Sequence, residues 1–132
     1  ADGSIAVFNE TELQFPGDLG VDGDLEDVSG FLFKYADVLS PGDFIQLAGA
    51  VSLSACPGAP RVKFSLGRPP PTAASPPNLV PQPQDPVPTI LARMADANFS
   101  PEELIALLAS HSIAGADDID PTIPGTPFDS TP

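Results

Sequence analysis

The chain has 132 residues, enough for one ordinary domain, but 18 prolines and 11 glycines leave limited room for regular structure and predict a modest core per residue. With 18 acidic against 5 basic residues the formal net charge is −13, which argues against nucleic acid and anionic membrane as partners and suits cations or an acidic medium. There is no run of ~18 apolar residues to span a membrane, and no export-signal pattern opens the chain, which begins without Met.

Ala1-Asp2-Gly3-Ser4 opens with turn chemistry and sets a carboxylate two residues from a hydroxyl, a spacing usable for calcium and common in plain turns. Residues 5–13 carry Glu10 and Glu12 and read as an exposed acidic loop, closed by the Phe15-Pro16-Gly17-Asp18 turn. Asn9-Glu10-Thr11 and Asn98-Phe99-Ser100 fit the short acceptor pattern for N-glycosylation. Leu25 to Tyr35 predicts a helix with Val28, Phe31, Leu32 and Tyr35 on one face and Gly30 weakening its middle.

Ser40-Pro41-Gly42-Asp43 is a helix start, with Phe44, Leu47, Ala48 and Val51 keeping helical spacing up to Ala55. The small run Ala48-Gly49-Ala50 suits close approach by another helix or by a flat cofactor, ordinary helix packing being the simpler cause. Cys56 is solitary, so it reads either as a small buried apolar residue or as half of a pair completed elsewhere. Val62, Phe64 and Leu66 alternate with Arg61, Lys63 and Ser65, as a short strand or extended segment would.

Nine of the 18 prolines lie between Pro69 and Pro88, too many for a helix or an interior strand. Leu79 and Val80 inside that tract suggest a segment laid against a surface. Asp85-Pro86 opens a helix on which Val87, Ile90, Leu91 and Met94 share a stripe, with Met94 as core filler.

Ser100, Pro101 and Glu103 then read as N-cap, first helical residue and capping-box acid. Leu104, Leu107, Leu108 and His111 follow at i, i+3, i+4 and i+7, which predicts that the chain's one histidine faces inward, as a hydrogen-bonded core group or as a metal ligand. Asp117, Asp118 and Asp120 come at the carboxyl end of this helix, where the macrodipole disfavours negative charge. They read as a solvated acidic loop or as carboxylates offset by a metal ion or a basic segment.

The stretch His111-Ser112-Ile113-Ala114-Gly115-Ala116-Asp117, with Asp120-Pro121-Thr122 and Gly125-Thr126-Pro127-Phe128-Asp129-Ser130-Thr131-Pro132, resembles the proximal helix and proximal calcium loop of the secreted fungal haem peroxidases of class II. These are the manganese, lignin, versatile and generic peroxidases. The run from Pro41 to Ile45 and on to Cys56-Pro57-Gly58-Ala59-Pro60 is similar to the same family, and the resemblance extends nearly from end to end.

It implies an all-α haem peroxidase fold, of which residues 1–132 form a single incomplete domain: mainly α, four helices with long Pro/Gly-rich loops, covering the proximal half and lacking the distal helix and C-terminal part. It implies haem b, with His111 as axial iron ligand and Asp118 against a haem propionate. Two calcium sites are implied, both incomplete in this chain: Ser112, Asp129 and Thr131 at the proximal one, Asp2 and Ser4 at the distal one. Asp117 matches the aspartate that binds Mn(II) in manganese and versatile peroxidases.

Ala106 stands where lignin and versatile peroxidases carry an exposed tryptophan, and the chain has no Trp. In the family an acid at the place of Glu12 supports an asparagine that orients the distal histidine; Asp18 occupies the asparagine's place here. Cys56 is implied to pair with a cysteine outside the chain. Activity follows as reduction of hydrogen peroxide with oxidation of Mn(II) or small phenols, lignin-degradation type, by a secreted monomer with small-molecule substrates. No distal catalytic residue lies in the chain, so the resemblance implies that these 132 residues alone are inactive. The alternative from composition is a non-enzymatic acidic calcium-binding or interaction module.

Overall fold

The computed structural model describes residues 2–112, and Asp117, Asp118, Asp120, Asp129 and Thr131 lie outside the described residues. The chain divides after Pro77 into two compact units. The first holds α1 (Ser4–Val7), α2 (Asn9–Glu12), a 3-10 turn at Pro16–Asp18, α3 (Val21–Lys34) and α4 (Pro41–Ser54). The second holds α5 (Val87–Asp96), α6 (Pro101–Leu108) and a 3-10 turn at Ala109–Ser112. Among the described residues there is no strand, so the mainly α class holds, with two single-turn helices added to the four expected.

The acidic stretch over residues 5–13 is therefore helical rather than loop. Gly3, at φ 81°, turns the chain into α1, and the Phe8 and Leu13 amides close the two turns on Ser4 and Asn9 carbonyls. Val21 opens α3 four residues ahead of the expected Leu25, because Gly20 at φ 83° makes the turn and Asp22 and Asp24 fall in the first turn, where the macrodipole favours carboxylates. Of its expected stripe, Val28 and Leu32 are partly covered, whereas Phe31 and Tyr35 face solvent.

Ser40 caps α4, its Oγ accepting the Asp43 amide at 3.2 Å. Phe44 is the one buried hydrophobic side chain among the described residues, and Leu47 and Ala48 are partly covered. Close approach occurs at Gly42, not along Ala48-Gly49-Ala50: a Cβ on Gly42 would lie 2.7 Å from the Asp2 carbonyl carbon, while one on Gly49 would meet nothing within 4 Å. The contact is reciprocal, since a Cβ on Gly3 would sit on the Gly42 amide nitrogen and 2.5 Å from the Pro41 carbonyl carbon.

Val62, Phe64 and Leu66 form no ladder and run as irregular chain. In the proline-rich tract Leu79 and Val80 are exposed, so its attachments are polar: the Leu79 carbonyl accepts Arg93 Nε at 2.7 Å, and the Gln82 amide donates to Asp85 Oδ2 at 2.9 Å. Along α5, Ile90, Leu91 and Met94 are partly covered and Val87 is exposed.

The α5–α6 joint is built by local rules. Asn98 takes φ 64°, the Phe99 amide donates to the Met94 carbonyl at 3.0 Å and the Asn98 amide to the Ala95 carbonyl at 2.9 Å, which is a Schellman closure with Asn at the left-handed position. Two residues later α6 starts in a complete capping box, Ser100 Oγ accepting the Glu103 amide at 3.2 Å and Glu103 Oε2 accepting the Ser100 amide at 2.8 Å.

Gly3→Ala and Gly42→Ala are expected to lower the urea midpoint strongly, because each new methyl meets backbone that cannot yield. Gly49→Ala, on the same helix as Gly42, is expected to raise stability by roughly 0.5–1 kcal/mol through helix propensity. Equal effects at Gly42 and Gly49 in equilibrium unfolding would sink the close-approach account.

Candidate functional site

Two of the residues implied in cation binding come together in the first unit. Asp2 Oδ1 accepts the Ser4 amide at 3.2 Å, and Ser4 is buried at 6 % exposure. Its hydroxyl meets Glu12 Oε2 at 3.2 Å and Ser75 Oγ at 2.8 Å, and Glu12 Oε1 accepts the Ser75 amide at 2.8 Å. Glu12 is thus not a solvated loop acid but a buried carboxylate, 4 % exposed, with both oxygens engaged. An open pocket of about 220 Å³ is lined by Asp2, Ser4, Glu12, Gly42, Gln46 and Ser75 among others.

The polar donors around this pocket are carboxylate, hydroxyl, amide and backbone groups, which fit a hard cation such as Ca²⁺ and offer no soft ligand. Ca²⁺ takes 6–8 oxygens, so Asp2 and Ser4 supply only part of a shell.

Asp18 closes the 3-10 turn at Pro16–Asp18 and is partly covered. Desolvation by that partial burial, and then the negative charge of Glu12, push its carboxyl above the ordinary carboxylate range. A carboxyl shifted this way moves toward the neutral form, which is closer to an amide than a fixed charge is.

Asp43 was legible only as part of a helix start, yet it anchors a long-range latch. Its Oδ2 accepts the Gly67 amide at 2.8 Å, and its Oδ1 accepts Arg68 Nη1 at 2.8 Å and the Arg68 amide at 3.3 Å. The Gly67 amide foremost, then Arg68, hold this carboxyl below its ordinary range against the opposing effect of burial. The difference from α6 is one methylene: Glu103 reaches back to its own cap residue, whereas the shorter Asp43 is taken by residues 24 and 25 positions on.

Cys56 follows the end of α4, is exposed, and borders an open hollow of about 590 Å³ with Leu47, Val51 and Phe64. The expectation of a buried apolar cysteine fails.

In the second unit α6 stops at Leu108 and tightens into the 3-10 turn that carries His111. A 3-10 turn advances three residues per turn instead of 3.6, so the i+7 relation assumed for His111 is not kept strictly. The outcome is mixed: Leu104 and His111 are partly covered, while Leu107 and Leu108 stay about half exposed. Ser112 is the last described residue. Ala106, on the same helix, is exposed. Sequence reasoning missed Ser75 and the Asp43–Arg68 latch, because a serine before two prolines and an aspartate at a helix start carry no long-range signal.

A family model described as Peroxidase matches residues 1–125. Over its whole length the chain is 53 % identical to versatile peroxidase VPS1 of Pleurotus eryngii, covering 35 % of it. It is likewise 54 % identical to the low-redox potential peroxidase of Taiwanofungus camphoratus, covering 39 %, and 49 % identical to manganese peroxidase H4 of Phanerodontia chrysosporium, covering 35 %. The chain thus spans little more than a third of the length of these relatives.

The two shifted aspartates give opposite pH signatures. Asp43, lowered in the fold, contributes stability that is present above its unfolded pKa of about 3.9 and is lost as pH falls through the folded value. Asp18, raised in the fold, costs stability as pH rises from about 3.9 through its folded value. Asp43→Asn is therefore expected to lower the urea midpoint at pH 7, a gap that closes as the pH falls below about 4, and Asp18→Asn to raise it, a gap already closed once the pH has fallen to about 4. Midpoints recorded between pH 3 and 8 check both signs.

Proposed function

The chain belongs to the peroxidase family, and we propose that it is one incomplete piece of a secreted haem peroxidase domain that reduces hydrogen peroxide and oxidises Mn(II) or small phenols. The match of residues 1–125 carries this reading. Relatives named as versatile, low-redox potential and manganese peroxidases support peroxide as oxidant, and the last name supports manganese as a reductant. The apolar side chains left uncovered within each unit support the incompleteness, Phe33 at 76 % and Val38 at 73 % exposure in one, Ile105 at 70 % in the other.

His111 would hold haem iron through an imidazole nitrogen. An imidazole nitrogen suits that metal, and the capped joint between α5 and α6 fixes the helix from which the 3-10 turn presents it. When bound, haem supplies the two-electron reduction of peroxide and the one-electron oxidation of reductants. The partly covered His111 would be held for that role by the 3-10 turn that follows α6.

Asp118 is proposed to meet a propionate, with Ser112, Asp129 and Thr131 at one calcium site and Asp2 and Ser4 at the other. Glu12 and Asp18 are proposed as support for the distal side. Cys56, exposed at the end of α4, is proposed to form a disulfide with a cysteine outside this chain, as suits an extracellular monomer. No helix among the described residues is long and apolar enough to cross a membrane.

Mn(II) oxidation is the preferred specificity. Asp117 offers the oxygen ligand that manganese favours. Ala106 leaves α6 without the exposed tryptophan through which electrons from bulky aromatics pass, and there is no Trp elsewhere in the chain. The two glutamates that complete the family's manganese site are not among these residues, which keeps a low-potential peroxidase of phenols as the second reading, and Gly115 also departs from the basic residue of many manganese peroxidases.

Two outcomes are expected. In the whole enzyme Asp117→Ala removes Mn(II) oxidation and spares oxidation of a small phenol; equal loss of both refutes the manganese assignment. The isolated 132 residues, loaded with haem, turn over peroxide no faster than free haem. Clear turnover above that rate would show that residues within the chain activate peroxide.

A further inference from the structure

Ser4 sits at the centre of a buried polar cluster whose proton assignments can be worked out. Its hydroxyl has one proton and two lone pairs. Ser4 Oγ donates to Glu12 Oε2 at 3.2 Å, so that contact takes the Ser4 proton. The 2.8 Å contact between Ser4 Oγ and Ser75 Oγ is then donated by Ser75. Ser75 also donates its amide to the other oxygen of Glu12 at 2.8 Å, so one residue of the proline-rich tract grips both members of the pair. Ser4 Oγ is left with one lone pair, and its residue lines the pocket beside Asp2.

We propose that Ser75 is a positioning residue for the Asp2–Ser4 cation site: with Glu12 it fixes the Ser4 hydroxyl as a lone-pair donor, and it thereby couples calcium binding to immobilisation of the proline-rich tract. The proposal rests on the assignment of Asp2 and Ser4 to calcium. Ser75 lies 71 residues from Ser4 along the chain, and Pro71, Pro76 and Pro77 around it stiffen the backbone that it tethers. Coupling of this kind is reciprocal: what orders the hydroxyl favours the cation, and the cation favours the ordered tract. A glutamine at position 12 would carry a donor as well as an acceptor, and turning the Ser4 hydroxyl round would occupy its remaining lone pair.

The test uses the whole haem-loaded enzyme and calcium itself. Amide exchange at Ser75 is followed with calcium and after chelation, with the Tyr35 amide, bonded to the Phe31 carbonyl at 3.1 Å on a helix with no proposed calcium ligand, as reference. Chelation is expected to speed exchange at Ser75 at least about ten-fold more than at Tyr35. Equal acceleration at both amides, or none at Ser75, overturns the coupling without any variant being needed.

Calcium dissociation constants of Ser4→Ala, Ser75→Ala and Ser75→Thr complete the test. Ser75→Ala is expected to weaken calcium binding about five-fold, as loss of one hydrogen bond of about 1 kcal/mol does, and Ser75→Thr to restore it. Weakened binding in Ser4→Ala with none in Ser75→Ala overturns the interlock alone. Undiminished binding in Ser4→Ala overturns the calcium assignment and the interlock with it.

Discussion

The first unit depends on a contact between two stretches of backbone. Asp2-Gly3 lies so close to the first turn of α4 that neither Gly3 nor Gly42 has room for a Cβ. Each glycine is followed by a residue that makes long-range bonds. Ser4 reaches Glu12 and Ser75, and Asp43 reaches Gly67 and Arg68. One steric constraint therefore sets the origin of two polar latches that tie irregular chain to helices. The separations, up to 71 residues, show why turn chemistry alone does not reveal them.

Apolar burial contributes little here. Phe44 is the one buried hydrophobic side chain among the described residues, whereas Ser4, Glu12 and Asp43 are buried polar groups. Buried carboxylates are costly unless their oxygens are engaged. Glu12 and Asp43 meet that condition with backbone amides, a hydroxyl and a guanidinium, and no buried side-chain polar atom among the described residues lacks a partner. Asp18 has no such bonds among the described residues, and desolvation by partial burial, then the charge of Glu12, shift it the other way.

The second unit is organised by chain-local rules. Asn98 closes α5 and Ser100 with Glu103 opens α6, so the path toward His111 is set by hydrogen bonds spanning no more than five residues. Such bonds hold their register whatever packs outside them, which suits a turn proposed to carry an axial ligand. Leu107 and Leu108 beside it stay about half exposed, so packing does little to fix this stretch and the local bonds fix it.

Helices starting at Ser40 and Ser100, the α5 stripe of Ile90, Leu91 and Met94, and the mainly α class were legible in the sequence, because caps and periodicity act within a few residues. So was the family, through the string from His111 to Pro132, and the family model agrees over residues 1–125. Tertiary structure alone decided that Glu12 is buried, that Gly42 rather than Gly49 is the point of close approach, that Cys56 is exposed, and that Ser75 and Arg68 matter. The physical reason is range. A cap or a stripe is fixed by neighbours in sequence, while the partner of a buried carboxylate or the space beside a glycine is fixed by whichever distant segment the fold brings against it.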